Sequence, residues 1–426
     1  MFKTLVDAFK IKDIRKKILM TLLLIMIYRL GCAVPIPGVD ASFMAEASKT
    51  YGVLGYMNLL SGGGFSNFAI FAMGISPYIT GSIVMQLLQI AIPSLERMAK
   101  EEDGRQKLQQ ITRFVGIGLA LVQSIGITLS LGPDAVYNTS FFTYATIGVV
   151  ATAGTAFLMW LGERITDYGI GNGISMLIFA SIVSQVPRTV VLFFTNFRSG
   201  AWTWWLLPVV LLLVVGLITL VVYVNEGVRR VPVQYAKRVQ GRKQYGGQST
   251  HIPMKANANG VMPLIFAMTI TQIPLMIMQL TVKDWENPGG FWIFWTRYLG
   301  TGTVAYYIIY ALLIVGFAYF YTTISFNPIE MSKNLQQYGG FIPGIRPGKP
   351  TSDYLGRISS RLTLFGAIFL ALIAILPTLI LSLMGIDSQQ IAFGPTSVLI
   401  MVSVALETME QLQSQMLMRH YKGFLG

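Results

Sequence analysis

The side chains able to carry acid–base, nucleophilic or metal chemistry are few in this sequence, and badly placed for it. The two histidines, His251 and His420, lie far apart in polar surroundings. One cysteine, Cys32, excludes an internal disulfide framework and any cysteine-based cluster. With so few soft ligands, nothing argues for a transition-metal site or a cofactor. Glu407 and Glu410 stand towards one end of the last apolar stretch, and no apolar stretch holds paired carboxylates, metal-spaced histidines or a nucleophile motif. A Gly-Lys-Ser/Thr phosphate loop is missing too, so ATP hydrolysis by that route is excluded. The chain reads as something other than an enzyme. Its notable residues are inert ones. Ile79 and Ile83, and again Ile178 and Ile182, are spaced by four and so share a helix face. The stretch 61–71, SGGGFSNFAIF, puts three glycines and a short apolar scrap just before AMGISPYITGSIVMQLLQIAIP.

The elements that must position these residues follow from composition. Of 426 residues, 53% are hydrophobic and 12% charged, with a mean hydropathy of +0.58. A soluble domain carries roughly a quarter charged residues, so most of this surface must face something other than water. Leu206 to Val224 has no charge and is long enough to cross a bilayer's hydrocarbon core as a helix. Ten such runs start near Ile18, Ser76, Phe114, Tyr144, Ile174, Leu206, Val261, Val304, Leu362 and Thr396. The start, MFKTLVDAFKIKDIRKK, is basic and amphipathic and lacks the pattern of a cleaved signal peptide. The organisation expected is an amphipathic segment over 1–17, one half over 18–194, a second half over 195–418 with long connections over 225–260 and 326–361, and a tail over 419–426.

Charge then fixes orientation. Twenty-six of the 32 Lys and Arg fall in the termini and in alternate connections, including Arg97, Lys107, Arg229, Arg238, Lys333 and Arg361. Positive residues stay cytoplasmic, so both termini are expected there. The net charge of +13 reflects that bias, and no nucleic acid need be invoked to explain it.

Ser76 followed by Pro77 reads as a helix start, with Ser as N-cap and Pro at the first helical position. The segment before it must lie outside the span or fold back into the protein, because irregular backbone at membrane depth survives only beside protein or water. Three glycines suggest a hinge, and a short apolar segment on it could act as a stopper. An external loop resting on the bilayer is the plainer alternative. In the first long connection, VPVQYAKRV with GR and GG turns suggests a small hairpin. In the second, FIPGIRPGKP sets three prolines and two glycines around Arg346, a stiff tip suited to docking.

These stretches resemble the SecY family, the central subunits of the bacterial protein-conducting channel. SGGGFSNFAIFAMGISPYITGSIVMQLL is similar to the family's plug and second helix, and GERITDYGIGNGISMLIFASIV to its entry into the fifth. YAKRVQGRKQYGGQSTHIPMKANANGVMPLIF and FNPIEMSKNLQQYGGFIPGIRPG are similar to its two long cytosolic loops. The likeness runs over nearly the whole chain.

The resemblance implies an all-α integral membrane protein of ten transmembrane helices. They would form two pseudo-symmetric five-helix halves around a central hourglass pore, with a short plug helix. It implies a pore ring of Ile79, Ile83, Ile178, Ile182, Ile265 and Ile400. The plug would be Ser61, Gly62, Gly63, Gly64, Phe65, Ser66, Asn67, Phe68, Ala69, Ile70 and Phe71. A lateral gate towards lipid would include Gln86 and Thr271, and Arg242, Lys243, Arg346 and Gly348 would dock the motor ATPase SecA or a ribosome. The implied partners are SecE, SecG, signal sequences, unfolded preproteins and membrane lipids, in a bacterial cell membrane. A narrow apolar ring fits that role, because it dewets, blocks ions and shows no preference among passing side chains. A secondary transporter of a small solute is the alternative. It would need an ionisable or unwound site at the midplane, where these spans carry almost no charge.

Overall fold

A computed structural model describes residues 2–44, 58, 61–130, 135–200, 205–235, 238–240, 243–245, 249–257, 259–281, 289–300, 303–383 and 395–422. The short helices α1 (Phe2–Lys10) and α4 (Pro93–Lys100) accompany ten longer ones that cover the ten expected stretches. These are α2 (Lys12–Gly31), α3 (Ser76–Ala91), α5 (Glu102–Ser130), α6 (Phe141–Tyr168), α7 (Gly173–Arg198), α8 (Leu206–Asn225), α9 (Met262–Thr281), α10 (Val304–Ser325), α12 (Lys349–Leu383) and α13 (Pro395–Lys422), with α11 (Pro328–Gln337) following α10. Among the described residues six helices are long and apolar enough to cross a membrane, and a seventh span results if α3 and α4, bent by 105° at their junction, count as one.

Helix starts depart from expectation where charge precedes an apolar run. Helix α5 begins at Glu102 rather than near Phe114, and α12 at Lys349 rather than near Leu362. Glu, Arg, Gln and Lys are good helix formers, so α5 outruns its apolar part, while α12 carries Pro350 in its first turn, where proline is tolerated. At α3 the reading was one residue off. Ile75 is the N-cap, Ser76 is the first helical residue, and its side chain makes no cap bond.

The described chain gathers into two compact units. The first comprises 1–211, 272–297 and 381–426. In it, Ala8, Ile14, Ile170 and Leu412 form one buried cluster that ties α1 and α2 to the α6–α7 turn and to α13. Thr21 Oγ1 accepts from the Ile170 amide at 3.1 Å, and Lys17 Nζ donates to Gln415 Oε1 at 3.3 Å. Helices α3 and α5 approach closely through Gly81 and Gly116. A Cβ on Gly81 would meet the Gly116 nitrogen at 3.1 Å, the small-residue contact that suits helix packing in lipid.

The second unit comprises 212–271 and 298–380. It holds a three-stranded sheet in the order β4-β1-β5, built from β1 (Val228–Tyr235), β4 (Ser249–Lys255) and β5 (Gly340–Phe341). The β1/β4 register runs from Val228 opposite Lys255 to Gln234 opposite Ser249. Beyond it, β2 (Arg238–Gln240) and β3 (Lys243–Tyr245) pair as the hairpin tip. Alternation along β1 turns Val231 and Val233 inward, where they join Met254, Leu335, Ile342, Leu355 and Ile358 in a core. Strand β5 comes from the other long connection, so the two loops share one sheet.

Candidate pore and plug site

The expected plug lies within the first unit. It was read as a short helix, but Ser61 to Ile75 is a run of turns. The cause is local. Gly62, Gly63 and Gly74 have φ of +66°, +91° and +58°, and Phe68 has φ +41°, all outside the α region. Side chains supply what a helix ladder would have given. Ser61 Oγ accepts from the Phe65 amide at 2.9 Å, and Asn58 Oδ1 from the Ser66 amide at 2.9 Å. The segment is further laced to the chain after α2. Ile70 N donates to Val34 O and Ile36 N to Phe68 O, each at 2.9 Å.

The segment is buried rather than resting on a surface. Phe65 and Phe68 are 0% and 1% exposed, and they share a cluster with Ile36, Val39, Met44, Ile127, Val136, Ile147 and Ala151. Burying two phenyl groups favours this seat by about 3–6 kcal/mol relative to exposure in water. The positive φ of Phe68 works against it by about 1–3 kcal/mol.

Its first residues sit between α2 and α7. The Tyr28 hydroxyl donates to Ser61 O at 3.1 Å and lies 2.6 Å from Ser181 Oγ. Arg29 Nη1 donates to Gly62 O at 2.7 Å and to Ser184 Oγ at 2.9 Å, and the Cys32 thiol reaches Ser61 O at 3.4 Å. At its far end, Phe71 stacks between Tyr28 and Phe157, with centroids 6.1 and 5.9 Å away. The glycines therefore have a geometric task beyond any hinge. A Cβ on Gly62 would stand 2.7 Å from Arg29 Nη1 and 3.1 Å from the Ser181 Cα, and one on Gly63 3.1 Å from Gln185 Nε2.

Five of the six expected ring residues belong to this unit. Ile83, Ile178, Ile182 and Ile400 are 1%, 6%, 1% and 5% exposed, whereas Ile79 is half-buried. On the same helix as Ile178 and Ile182, Val191 and Phe194 are 61% and 68% exposed, so the two isoleucines occupy its inward face. Helices α7 and α13 touch, with Thr408 Oγ1 3.5 Å from Met176 Sδ. Gln86, also here, donates to Ser82 Oγ of its own helix at 3.4 Å.

Ile265 and Thr271 lie on α9 in the second unit, both half-buried. Thr271 donates to Met268 O at 2.8 Å. Of the docking residues, Arg346 is exposed. Its carbonyl accepts from Thr351 Oγ1 at 2.8 Å, and the Gly348 carbonyl from Ser332 Oγ at 2.7 Å. Lys243 opens β3, and Arg242 lies outside the described residues.

The SecY family model matches residues 69–409. Full-length relatives agree. The protein translocase subunit SecY of Halalkalibacterium halodurans is 43% identical, with all of both chains covered, and that of Mycobacterium tuberculosis is 41% identical, again with all of both covered. The chain belongs to the SecY family. Solved structures show the same fold at lower identity. One described as "The structure of a protein conducting channel" superposes with a TM-score of 0.67 at 18% identity, covering 94% of this chain and 92% of the other. Sec61 from a canine ribosome–channel complex gives 0.61 at 17%, with the same coverage. The architecture is thus that of the SecY/Sec61 channels.

Within this SecY-family chain, sequence reasoning missed the residues that seat the 61–71 segment. Tyr28, Arg29, Ser181, Ser184 and Gln185 sit on two helices 150 positions apart in number. One signal was available, since Arg29 is a charged residue inside an otherwise apolar run, and an ionisable group within a span is a candidate functional position. Gln123 on α5 was missed as well. It is 7% exposed, and its Oε1 has no partner among the described residues.

Proposed function

We propose that this chain conducts unfolded secretory polypeptides across a bacterial cell membrane and releases their apolar segments sideways into lipid. The observation that carries the reading is the buried seat of 61–71, bonded to the helix that bears Ile178 and Ile182. A removable stopper beside an apolar ring suits a channel that must stay shut to ions yet admit a chain of any sequence. One structural neighbour is described as having a plug domain that stabilises the closed state and maintains a membrane seal.

On this reading Ile79, Ile83, Ile178, Ile182, Ile265 and Ile400 form the constriction, and Gln86 and Thr271 tune a lateral gate. The two cytoplasmic loops dock a driving partner, the ATPase SecA or a ribosome, while SecE and SecG brace the helices. Neighbours solved in ribosome complexes, canine Sec61 and yeast Ssh1, support the ribosome as one such partner. The Lys and Arg bias supports cytoplasmic termini. The chain itself does no chemistry and draws energy from the partner. The comparisons give a solute transporter no support.

The test is reconstitution of the chain with its partner subunits into proteoliposomes. ATP-dependent protection of a preprotein from external protease, requiring the motor, is the expected result. Uptake of a small solute without any partner would overturn the proposal.

A further inference from the structure

Among the described residues, the hydrogen-bond partners of the charged Arg29 are neutral. Its Nη1 lies 2.7 Å from Gly62 O and 2.9 Å from Ser184 Oγ. None of the ion pairs among the described residues includes it. Ser184 is itself oriented by donating to Ser181 O at 2.6 Å, so the acceptor beside Arg29 is fixed by α7. The guanidinium thus bridges α2, α7 and the second residue of the segment. Gly62 is shaped to the contact. Its φ of +66° lies in the left-handed region that favours glycine, and a Cβ there would stand 2.7 Å from Nη1.

We propose that Arg29 is the positioning residue that holds the 61–71 segment in its closed seat. Resting on the plug assignment made above, the argument concerns the difference between two states. A hydrogen bond from a charged donor is roughly twice as strong as a neutral one. The bond to Gly62 O exists only while the segment is seated. After displacement Arg29 keeps Ser184 alone, and Gly62 O turns to water. A contact made in one state only shifts the equilibrium by its full differential strength. The apolar burial of Phe65 and Phe68 supplies most of the seat's stability but has no direction, whereas the arginine fixes where the segment starts. Removing it should raise the fraction of displaced segment roughly ten- to a hundredfold.

The test is resting ion conductance of the full channel complex in planar bilayers, for the native chain, Arg29→Gln, Arg29→Lys and a deletion of 62–71. The deletion and Arg29→Gln are expected to leak. Arg29→Lys, which keeps the charge on a shorter side chain, is expected to leak several-fold less than Arg29→Gln. Combining Arg29→Gln with the deletion is expected to add nothing. A leaking deletion with a silent Arg29→Gln would overturn the latch and leave the plug standing. A silent deletion would overturn the plug assignment itself. Additive leak in the combined variant would place the arginine's effect elsewhere and overturn the latch. Should Arg29→Gln fail to accumulate, Arg29→Lys decides the matter, and conductance equal to the native chain's counts against the proposal.

Discussion

The hydroxyls of Tyr28 and Ser181 lie 2.6 Å apart, and Tyr28 also donates to the carbonyl of Ser61. Ser181 precedes Ile182 in the chain. Two hydrogen bonds that meet at Tyr28 therefore join Ser61, the first residue of the proposed stopper, to the helix bearing two isoleucines of the proposed ring. On the proposed function, a chain entering between those isoleucines would disturb α7, and Tyr28 would relay that disturbance to Ser61.

Gly62 should tolerate no side chain. Alanine there combines a left-handed φ with a methyl 2.7 Å from Arg29 Nη1, a cost of about 1–3 kcal/mol to the seated state. Gly62→Ala is expected to raise resting conductance and to make the segment accessible to added protease. Native-like conductance with native-like protection would show that the seat does not depend on this contact.

Placing an amide in the ring should hydrate it. Ile83→Asn and Ile182→Asn replace side chains that are each 1% exposed, and a wetted constriction passes ions. Both are expected to leak in planar bilayers. Val191→Asn on the exposed face of α7 is expected to leave conductance unchanged.

On the loop side, Arg346 is held out by a backbone that two hydroxyls fix from behind. Arg346→Glu is expected to lower motor-driven preprotein translocation severalfold and leave the amount of channel in the membrane unchanged. Ser332→Ala should weaken translocation less, because it removes one hydrogen bond worth about 1 kcal/mol. Normal translocation by Arg346→Glu would place the docking surface elsewhere.

The base of the first loop offers a test of stability alone. Asn259, 9% exposed, donates to Ala318 O at 2.9 Å and to Thr322 Oγ1 at 2.6 Å, tying the start of α9 to α10. Asn259→Ala is expected to cost about 1–3 kcal/mol and to lower the melting temperature of the detergent-solubilised chain, without raising resting conductance.

Much of this could be read in the residues. The run from Leu206 is so apolar that its helix ends where expected, at Asn225, and the alternation of VPVQYAKRV marks β1. Strands β2 and β3 flank the GR signal, while GR and GG themselves lie outside the described residues. Length and composition reach their limit at spans with polar content. Helix α2 opens on KDIRKK, and α13 carries Glu407 and Glu410, so neither scores as a membrane crossing. What could not be read depends on contacts distant in sequence. No local pattern tells that Phe341 will pair with Gln234, or that Arg29 will meet Gly62 and Ser184. The glycines of 61–71 misled for a related reason. A glycine run reads as freedom, yet here Gly62 and Gly63 meet fixed dihedral and clearance demands that only the packed neighbours reveal.

The central claim is that a polypeptide in transit touches the isoleucine ring. The direct measurement is crosslinking of a preprotein stalled by a folded tail to single cysteines at positions 83, 182, 265 and 400. The background would carry Cys32→Ser, conservative at a site that is 4% exposed. Adducts at all four positions, and none at the exposed position 191, are expected. Adducts at 191 with none at the four ring positions would contradict the account.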